Sequence, residues 1–211
     1  MKKIYGLAST AVVVAVALSS APQVYAALTA TSTLSQQINP GTLSTDIRNS
    51  SNVVVGSPSF SMTPLTVSTS QQTSTGTLGE ASQRLSVDNP GGANGGFSLA
   101  LAATGGPSAT WTSGGNTYPF NGASAAAGQL TVNPTPSTWT ALTGTTASIT
   151  KGASTTFSGG TNGPATIATT SAALEDIWNG YVTGIGLSQT IPAGQPAGTY
   201  TISMTQTVAA L

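Results

Sequence analysis

The amino-acid sequence predicts an all-β protein with a single antiparallel β-sandwich. Apolar and polar residues alternate with a period of two in several short stretches, as in strands with one buried face. The 25 Gly and 12 Pro residues separate these stretches, which is typical of turns between short strands. No stretch shows the period of a long amphipathic helix. Because one sheet cannot bury its apolar face alone, we expect two packed sheets with Ig-like or jelly-roll connections.

The composition limits the kinds of partner that the surface can bind. Charged residues make up 5% of the chain and the net charge is zero, whereas an ordinary soluble domain has about 25% charged residues. No basic patch is available for a phosphate backbone, so we expect no nucleic-acid partner. The chain has no Cys, and its stability must therefore come from burial and sheet hydrogen bonds.

The N-terminus resembles a cleaved secretory signal peptide at residues 1–26. Lys2 and Lys3 precede an apolar run, and small residues lead up to Ala26. An uncleaved membrane anchor is the alternative, but an apolar run of about 15 residues is short for ~30 Å of hydrocarbon. We therefore expect a secreted, extracellular β-sandwich at residues 27–211, with no membrane span in the mature chain.

The first part of the mature chain, residues 28–38, alternates between apolar and polar residues and is called here the N-terminal segment. One face carries Leu28, Ala30, Leu34 and Ile38, and the other carries Thr29, Thr31, Thr33, Ser35 and Gln37. A turn at Pro40 and Gly41 then leads into a second short stretch. One interpretation is a strand of the chain's own sheet. The other is a strand-exchange segment, centred on Leu28, Leu34 and Ile38, that completes the sheet of a neighbouring subunit.

The next two stretches suggest sheet edges. Residues 53–67 contain three short apolar groups separated by Pro58 and Pro64, which cannot donate to a central ladder, so the sequence predicts edge positions or strand ends. Residues 68–77 are rich in Ser, Thr and Gln. They predict either a solvated loop or a strand with an exposed hydroxyl face.

Residues 83–101 predict an antiparallel strand pair. Leu85 and Val87 form one apolar row, and a second row begins at Phe97. The sequence between them, Asp-Asn-Pro-Gly-Gly from Asp88 onwards, has the residue types of a turn.

The section at about residues 102–171 is rich in Gly, Ser, Thr and Ala, with spaced aromatic anchors. It predicts short strands with long connections. Residues 170–178 form the best candidate for a helical turn, with Ser171 as its cap and with Leu174, Ile177 and Trp178 facing inward. After a Pro/Gly turn, the closing stretch at 191–208 then predicts a strand whose apolar residues lie on one face. These residues are Tyr200, Ile202, Met204 and Val208.

The residue types argue against catalysis. The chain has no His, which removes the commonest general base and metal ligand. A glycosidase needs two carboxyls about 5–9 Å apart, and neighbouring acids on a strand would point to opposite faces. The five acids are Asp46, Glu80, Asp88, Glu175 and Asp176. A Ser-Lys dyad would depend on Lys151, which lies in a predicted turn.

The same residue types predict no cofactor. Oxygen ligands leave calcium as the only metal to consider, and Asp88 with Asn89 is the one place for it. That turn needs no ion, and no acidic loop with calcium-binding spacing is present. We therefore expect a protein that is not an enzyme, with no metal site and no small-molecule substrate.

Aromatic residues are the best candidates for a binding surface. Trp111, Tyr118 and Trp139 have the flat rings on which sugars stack, so they are candidate glycan contacts. The same residues also have the size and apolarity of packing anchors in a small core.

Two stretches carry a family resemblance. Gly-Gly-Phe-Ser-Leu-Ala-Leu at 95–101, after Val-Asp-Asn, and Ile-Pro-Ala-Gly-Gln-Pro-Ala-Gly-Thr-Tyr-Thr-Ile-Ser-Met at 191–204 resemble the WxL-type β domains of bacterial cell surfaces. The resemblance spans most of residues 78–208. The family's Trp-x-Leu signature is Phe97-Ser-Leu99 here, and Trp139-Thr-Ala-Leu142 is one residue longer. The resemblance implies an exported domain that attaches to peptidoglycan.

The closing stretch is also similar to the end of spore-coat protein U and of archaic chaperone-usher pilus subunits. Those relatives usually carry cysteines, which this chain lacks. The similarity implies that strands are exchanged between subunits.

Together these features predict a non-catalytic, secreted structural protein of the bacterial cell envelope. We expect it to self-associate, with a second copy as its partner, as a filament subunit built by β-strand addition. The alternative is a WxL-like module that binds peptidoglycan or another glycan, with cell-wall components as its partners.

Overall fold

The computed structural model describes residues 30–91, 95–171 and 177–211. The chain divides into two units, Met1–Ile38 and Asn39–Leu211. In the first unit, residues 30–38 form no strand, and the side chains of Leu34 and Ile38 are 94% and 89% exposed. The prediction that this segment is a strand of the chain's own sheet is therefore wrong for its described part, because none of residues 30–38 belongs to a strand. Leu28 and the predicted signal peptide lie outside the described residues.

The second unit is built almost entirely from short strands. In chain order they are β1 (Ser44–Arg48), β2 (Gln72–Leu78), β3 (Arg84–Pro90), β4 (Phe97–Ala103), β5 (Thr110–Ser113), β6 (Asn116–Pro119), β7 (Leu130–Asn133), β8 (Thr138–Thr143), β9 (Ile149–Lys151), β10 (Thr155–Thr156), β11 (Ala165–Thr170), β12 (Ile177–Thr183), β13 (Ile185–Ile191) and β14 (Met204–Ala210). Two single 3-10 turns lie at Gly106–Ser108 and Ala125–Ala127. Seven of the strands fall in the section at 102–171 that was predicted to contain short strands with long connections.

The strands form three four-stranded sheets and one hairpin, with antiparallel pairing throughout. Sheet I has the order β1-β3-β12-β8, sheet II has β10-β7-β13-β2, and sheet III has β14-β4-β11-β9. Strands β5 and β6 pair only with each other as a hairpin. The predicted antiparallel β-sandwich is confirmed. None of the described residues forms a helix long and apolar enough to span a bilayer.

One continuous core joins the three sheets, and strands such as β4 and β12 send alternate side chains into it. In β4, Phe97, Leu99 and Leu101 are buried while the residues between them are partly exposed. The other apolar members of the core are Leu78, Leu85, Val87, Ala103, Phe120, Leu130, Val132, Phe157, Ala165, Ile167, Trp178, Val182 and Ile185.

The predicted pairing of β3 with β4 is wrong. Strand β3 pairs with β1 and β12, whereas β4 pairs with β11 and β14, so the two strands belong to different sheets. The residues predicted as a turn continue the strand, since β3 runs to Pro90 and the chain turns at Gly91, with φ +83°. Each strand has an apolar row that faces the shared core, and the chain therefore passes from one sheet to another between them.

The predicted helical turn at 170–178 is also wrong in its described part. Thr170 ends β11 and Ile177 begins β12, while residues 172–176 lie outside the described residues. Trp178 is buried, but Ile177 is 61% exposed. That difference is the alternation of a strand, not the shared inward face of a helix.

The predictions for residues 53–67 (edge positions or strand ends) and 68–77 (a loop or a strand with an exposed hydroxyl face) agree with the fold. Residues 58–68 form no named strand and touch the outer side of β2 through an isolated bridge from Met62 to Gly76. Strand β2 exposes Thr73, Thr75 and Thr77 on one face, as predicted for a hydroxyl-rich strand.

Candidate functional site: a neutral groove beside the last strand

Strand β14 leaves one side without a strand partner. It is the edge strand of sheet III and pairs only with β4, from Met204 opposite Ala103 to Ala210 opposite Phe97. Residues 201–203 extend the same edge, because Thr201 exchanges two hydrogen bonds with Thr112, of 2.9 and 3.0 Å. Across the described ranges, no strand pairs with the other side of residues 201–210. We call this side the free edge. Such an edge presents N–H and C=O groups on which a further strand can pair.

Residues 58–68 form a second wall, which a side-chain clamp holds at one end. The amide of Gln83 accepts a hydrogen bond from Ser59 N–H at 2.7 Å and donates to Ser59 C=O at 2.8 Å. Further along, Thr63 N–H donates to Thr75 C=O at 2.7 Å. These few bonds hold the wall against the outer side of β2.

A groove lies between this wall and the free edge. Its apolar end has a volume of about 400 Å³, and its floor includes the core residues Leu78, Leu101 and Leu130. Its aromatic end has a volume of about 490 Å³ and is lined by Trp111, Tyr118, Gln189, Gln195 and Tyr200, among others. The two ends are adjacent, because both are lined by Phe60 and Tyr200. No charged side chain is among the described residues that line it.

The hairpin of β5 and β6 places two aromatic rings at this end. Trp111 and Tyr118 are directly opposite each other in the hairpin register, and their rings stack with centroids 6.1 Å apart and planes at 13°. The indole N–H of Trp111 donates to Oε1 of Gln189 at 2.8 Å. Gln189 is 1% exposed, and its Nε2 donates to Thr190 C=O at 2.7 Å. The indole N–H of Trp111 and the buried amide of Gln189 therefore both have hydrogen-bond partners within the protein.

Tyr118 and Tyr200 differ in how their hydroxyls are satisfied. The Tyr200 hydroxyl donates to Pro196 C=O at 3.0 Å and accepts from Gln195 Nε2 at 2.9 Å. Tyr118 is only 6% exposed, yet its hydroxyl makes no hydrogen bond to any part of the chain that the structure describes. Burial, with a smaller contribution from Tyr200, raises the pKa of Tyr118 from 10.0 to about 12. The groove thus contains a protonated phenol without a partner.

The three aromatic residues predicted from the sequence do not form one site. Trp111 and Tyr118 lie together in the groove, but Trp139 lies on β8 of sheet I, where its ring contacts Trp178 at 6.1 Å. Trp178 in turn contacts Phe97 at 5.4 Å, so Trp139 packs on the core side of that sheet.

Nothing in the sequence marks Gln189 or Phe60 as residues of a groove. The only signal for Gln189 is its position in the alternating row that begins at Ile185, where an apolar residue is expected.

The charged residues considered for catalysis are dispersed. Asp46 forms an ion pair with Arg48 at 3.0 Å. The Lys151 ammonium group donates to the backbone carbonyls of Thr135 and Ser137. Asp88 lies within β3, and Glu175 and Asp176 lie outside the described residues. Within those residues, no group of three or more His, Cys, Asp or Glu side chains could hold a metal ion.

Comparison of the chain with models of known protein families, with curated proteins and with solved structures found no match.

Proposed function

We propose that the protein is a non-catalytic, secreted structural component of the bacterial cell surface that self-associates by β-strand addition. In this proposal the N-terminal segment (residues 28–38) of one copy pairs with the free edge (residues 201–210) of another. The observation that carries it is the free edge of β14 beside a groove with a floor of core leucines, in a chain whose alternating segment has no strand partner at its described residues.

The chemistry of the segment matches that of the groove. Both are uncharged, and the segment carries Leu28, Leu34 and Ile38 on one face. Two of these side chains are almost fully exposed, and burying a Leu or Ile contributes about 1.5–3 kcal/mol. Added main-chain hydrogen bonds would supply affinity, and pockets for alternate side chains would supply specificity.

The composition favours assembly as well. Charged residues make up 5% of the chain, so copies repel one another weakly at close range.

The test measures association of the chain that starts at residue 27. We expect concentration-dependent oligomers in sedimentation experiments and filaments in negative-stain micrographs. Leu34→Asp with Ile38→Asp should abolish both, because the face that enters the groove becomes charged. The matched control is Thr31→Asp with Ser35→Asp, which adds the same charge at the same spacing to the opposite face and should retain association. Monodisperse monomers of the unmodified chain at all concentrations would contradict the proposal.

A second candidate function is binding of peptidoglycan or another glycan, as in a WxL-like module. The stacked pair of Trp111 and Tyr118 in the groove favours it. Pull-down with cell-wall sacculi tests this function with two variants. If glycans bind in the groove, Trp111→Ala loses binding, whereas Trp139→Ala retains it because Trp139 lies on sheet I.

A further inference from the structure

The apolar face of the N-terminal segment also contains two polar residues, Ser32 and Gln36. In an extended chain the face that carries Leu34 and Ile38 also carries Gln36, which lies between them. If this face enters the groove, the Gln36 amide leaves water together with the two apolar side chains. A buried amide without a hydrogen-bond partner costs about 1–3 kcal/mol. In the described chain Gln36 Nε2 donates to the neighbouring Gln37 C=O at 2.9 Å, so strand addition requires a polar partner in the groove above all for the Gln36 amide oxygen.

The other two buried polar side chains at the aromatic end, Ser74 and Gln189, already have hydrogen-bond partners. The Trp111 N–H donates to Gln189, and the Tyr200 hydroxyl is bonded to Pro196 and Gln195. The Tyr118 hydroxyl has no such bond in the described chain, and it is not among the fully enclosed polar atoms. The oxygen is therefore not fully enclosed, and Tyr118 is one of the residues that line the aromatic end of the groove. Gln206 Oε1, at the apolar end, also lacks a partner, but it is fully enclosed.

We infer that Gln36 of a second copy hydrogen-bonds to the Tyr118 hydroxyl, and that this pair sets the register of the added strand. The inference rests on the proposed strand addition. A phenol can donate to the amide oxygen and accept from the amide N–H, so one residue satisfies either end of the Gln36 side chain.

The Gln36–Tyr118 hydrogen bond favours one register of the added strand, because Leu34 and Ile38 lie on either side of Gln36. A shift of two residues places Leu34 or Ile38 against the Tyr118 hydroxyl and moves the Gln36 amide among apolar side chains, which leaves both polar groups unpaired. A shift of one residue turns the threonine face of the segment into the groove. The raised pKa of Tyr118 keeps the phenol protonated, and able to donate, through neutral and mildly alkaline pH.

A double-mutant cycle on the full chain from residue 27 tests the pair. The variants are Gln36→Leu, Tyr118→Phe and the two combined, and the measurement is the dissociation constant of self-association by sedimentation equilibrium. Each single substitution should weaken association about tenfold, because one buried polar group loses its partner. The double variant should be no weaker than either single variant. Gln37→Leu makes the same chemical change on the opposite face and should leave the constant unchanged.

Tyr118→Phe keeps the ring that stacks on Trp111, and thermal unfolding of each variant verifies the fold. Gln36 is exposed in the free chain, so its replacement should leave the unfolding temperature unchanged. A second measurement is the chemical shift of the Gln36 side-chain amide, which should change on association in the unmodified chain but not in Tyr118→Phe.

The outcomes separate the inference from the proposed function. Association with additive effects of the two substitutions would overturn the Gln36–Tyr118 pair and leave strand addition intact. Tighter association of Gln36→Leu would also overturn the pair. Absence of association in the unmodified chain would remove the proposed function itself.

Discussion

The indole N–H of Trp111 donates to Oε1 of Gln189 across 2.8 Å, and this bond joins the β5–β6 hairpin to the central part of sheet II. The hairpin pairs with no other named strand, so side-chain contacts and the bridge from Thr112 to Thr201 hold it in place. The aromatic end of the groove therefore depends on a buried amide.

Removing that amide should destabilise the protein. In Gln189→Leu, the Trp111 N–H and the Thr190 carbonyl lose their partner, and we expect the free energy of unfolding to fall by about 1–3 kcal/mol. Urea denaturation followed by tryptophan fluorescence measures the change. Gln71→Leu is the matched control, since Gln71 is exposed and its replacement should change stability by less than about 0.5 kcal/mol. Equal stability of the two variants would contradict the structural role of Gln189.

Alkaline pH should destabilise the protein through Tyr118. Its folded-state pKa is raised from 10.0 to about 12 by burial and by Tyr200, so the fold disfavours the phenolate. The stabilising contribution of the neutral phenol is fully present below pH 10.0 and is lost as the pH rises towards about 12. Denaturation experiments from neutral pH upwards should show this loss. Tyr118→Phe should show a smaller loss over the same range, and an identical pH dependence in both proteins would rule Tyr118 out as its cause.

Gly180 should not tolerate a side chain. A Cβ at this position would lie 2.6 Å from Cη2 of Trp178 and would also meet the carbonyl of Thr140 on the neighbouring strand. We expect Gly180→Ala to lower the free energy of unfolding by about 1–3 kcal/mol, the usual cost of overpacking. Gly163→Ala is the control, because nothing lies within 4 Å of its added Cβ. The prediction fails if both variants unfold at the same denaturant concentration.

Thr170 should contribute to stability through its hydroxyl, not through its size. Its Oγ1 accepts from Phe97 N–H at 2.7 Å, which ties the end of β11 to the start of β4. Thr170→Val has nearly the same shape but leaves this buried N–H unpaired, and we expect a loss of about 1–3 kcal/mol. Thr73→Val, at an exposed position of β2, is the comparison. Thermal and urea unfolding of both variants would reveal whether the hydroxyl matters.

The sequence was sufficient to predict the fold class, because the alternation of apolar residues is a local signal. The inward row of β4 and the two-faced closing strand can both be found this way. Pairing between strands depends on contacts that are distant in sequence, so the turn-like residues after Asp88 suggested a hairpin where β3 and β4 join different sheets. No local pattern distinguishes those two arrangements.

The candidate site was predictable only in part, for a similar reason. Trp111 and Tyr118 stand out as aromatic residues in a sparse section, and the hairpin brings them together. Trp139 has the same chemical character but belongs to a strand of sheet I. Gln189 could not be predicted as a groove residue, because its hydrogen bond to Trp111 forms only when the hairpin packs on sheet II.

The order in which the strands pair has a kinetic consequence. Strand β2 (Gln72–Leu78) has β13 (Ile185–Ile191) as its only named partner. One of the two partners of β4 is β14, the last strand of the chain. During synthesis β2 must therefore remain without its partner, and β4 without one of its two partners, until nearly the whole sandwich sequence has been translated. Sheets built from such distant pairings fold slowly. A nascent chain with this delay therefore stays unfolded for longer.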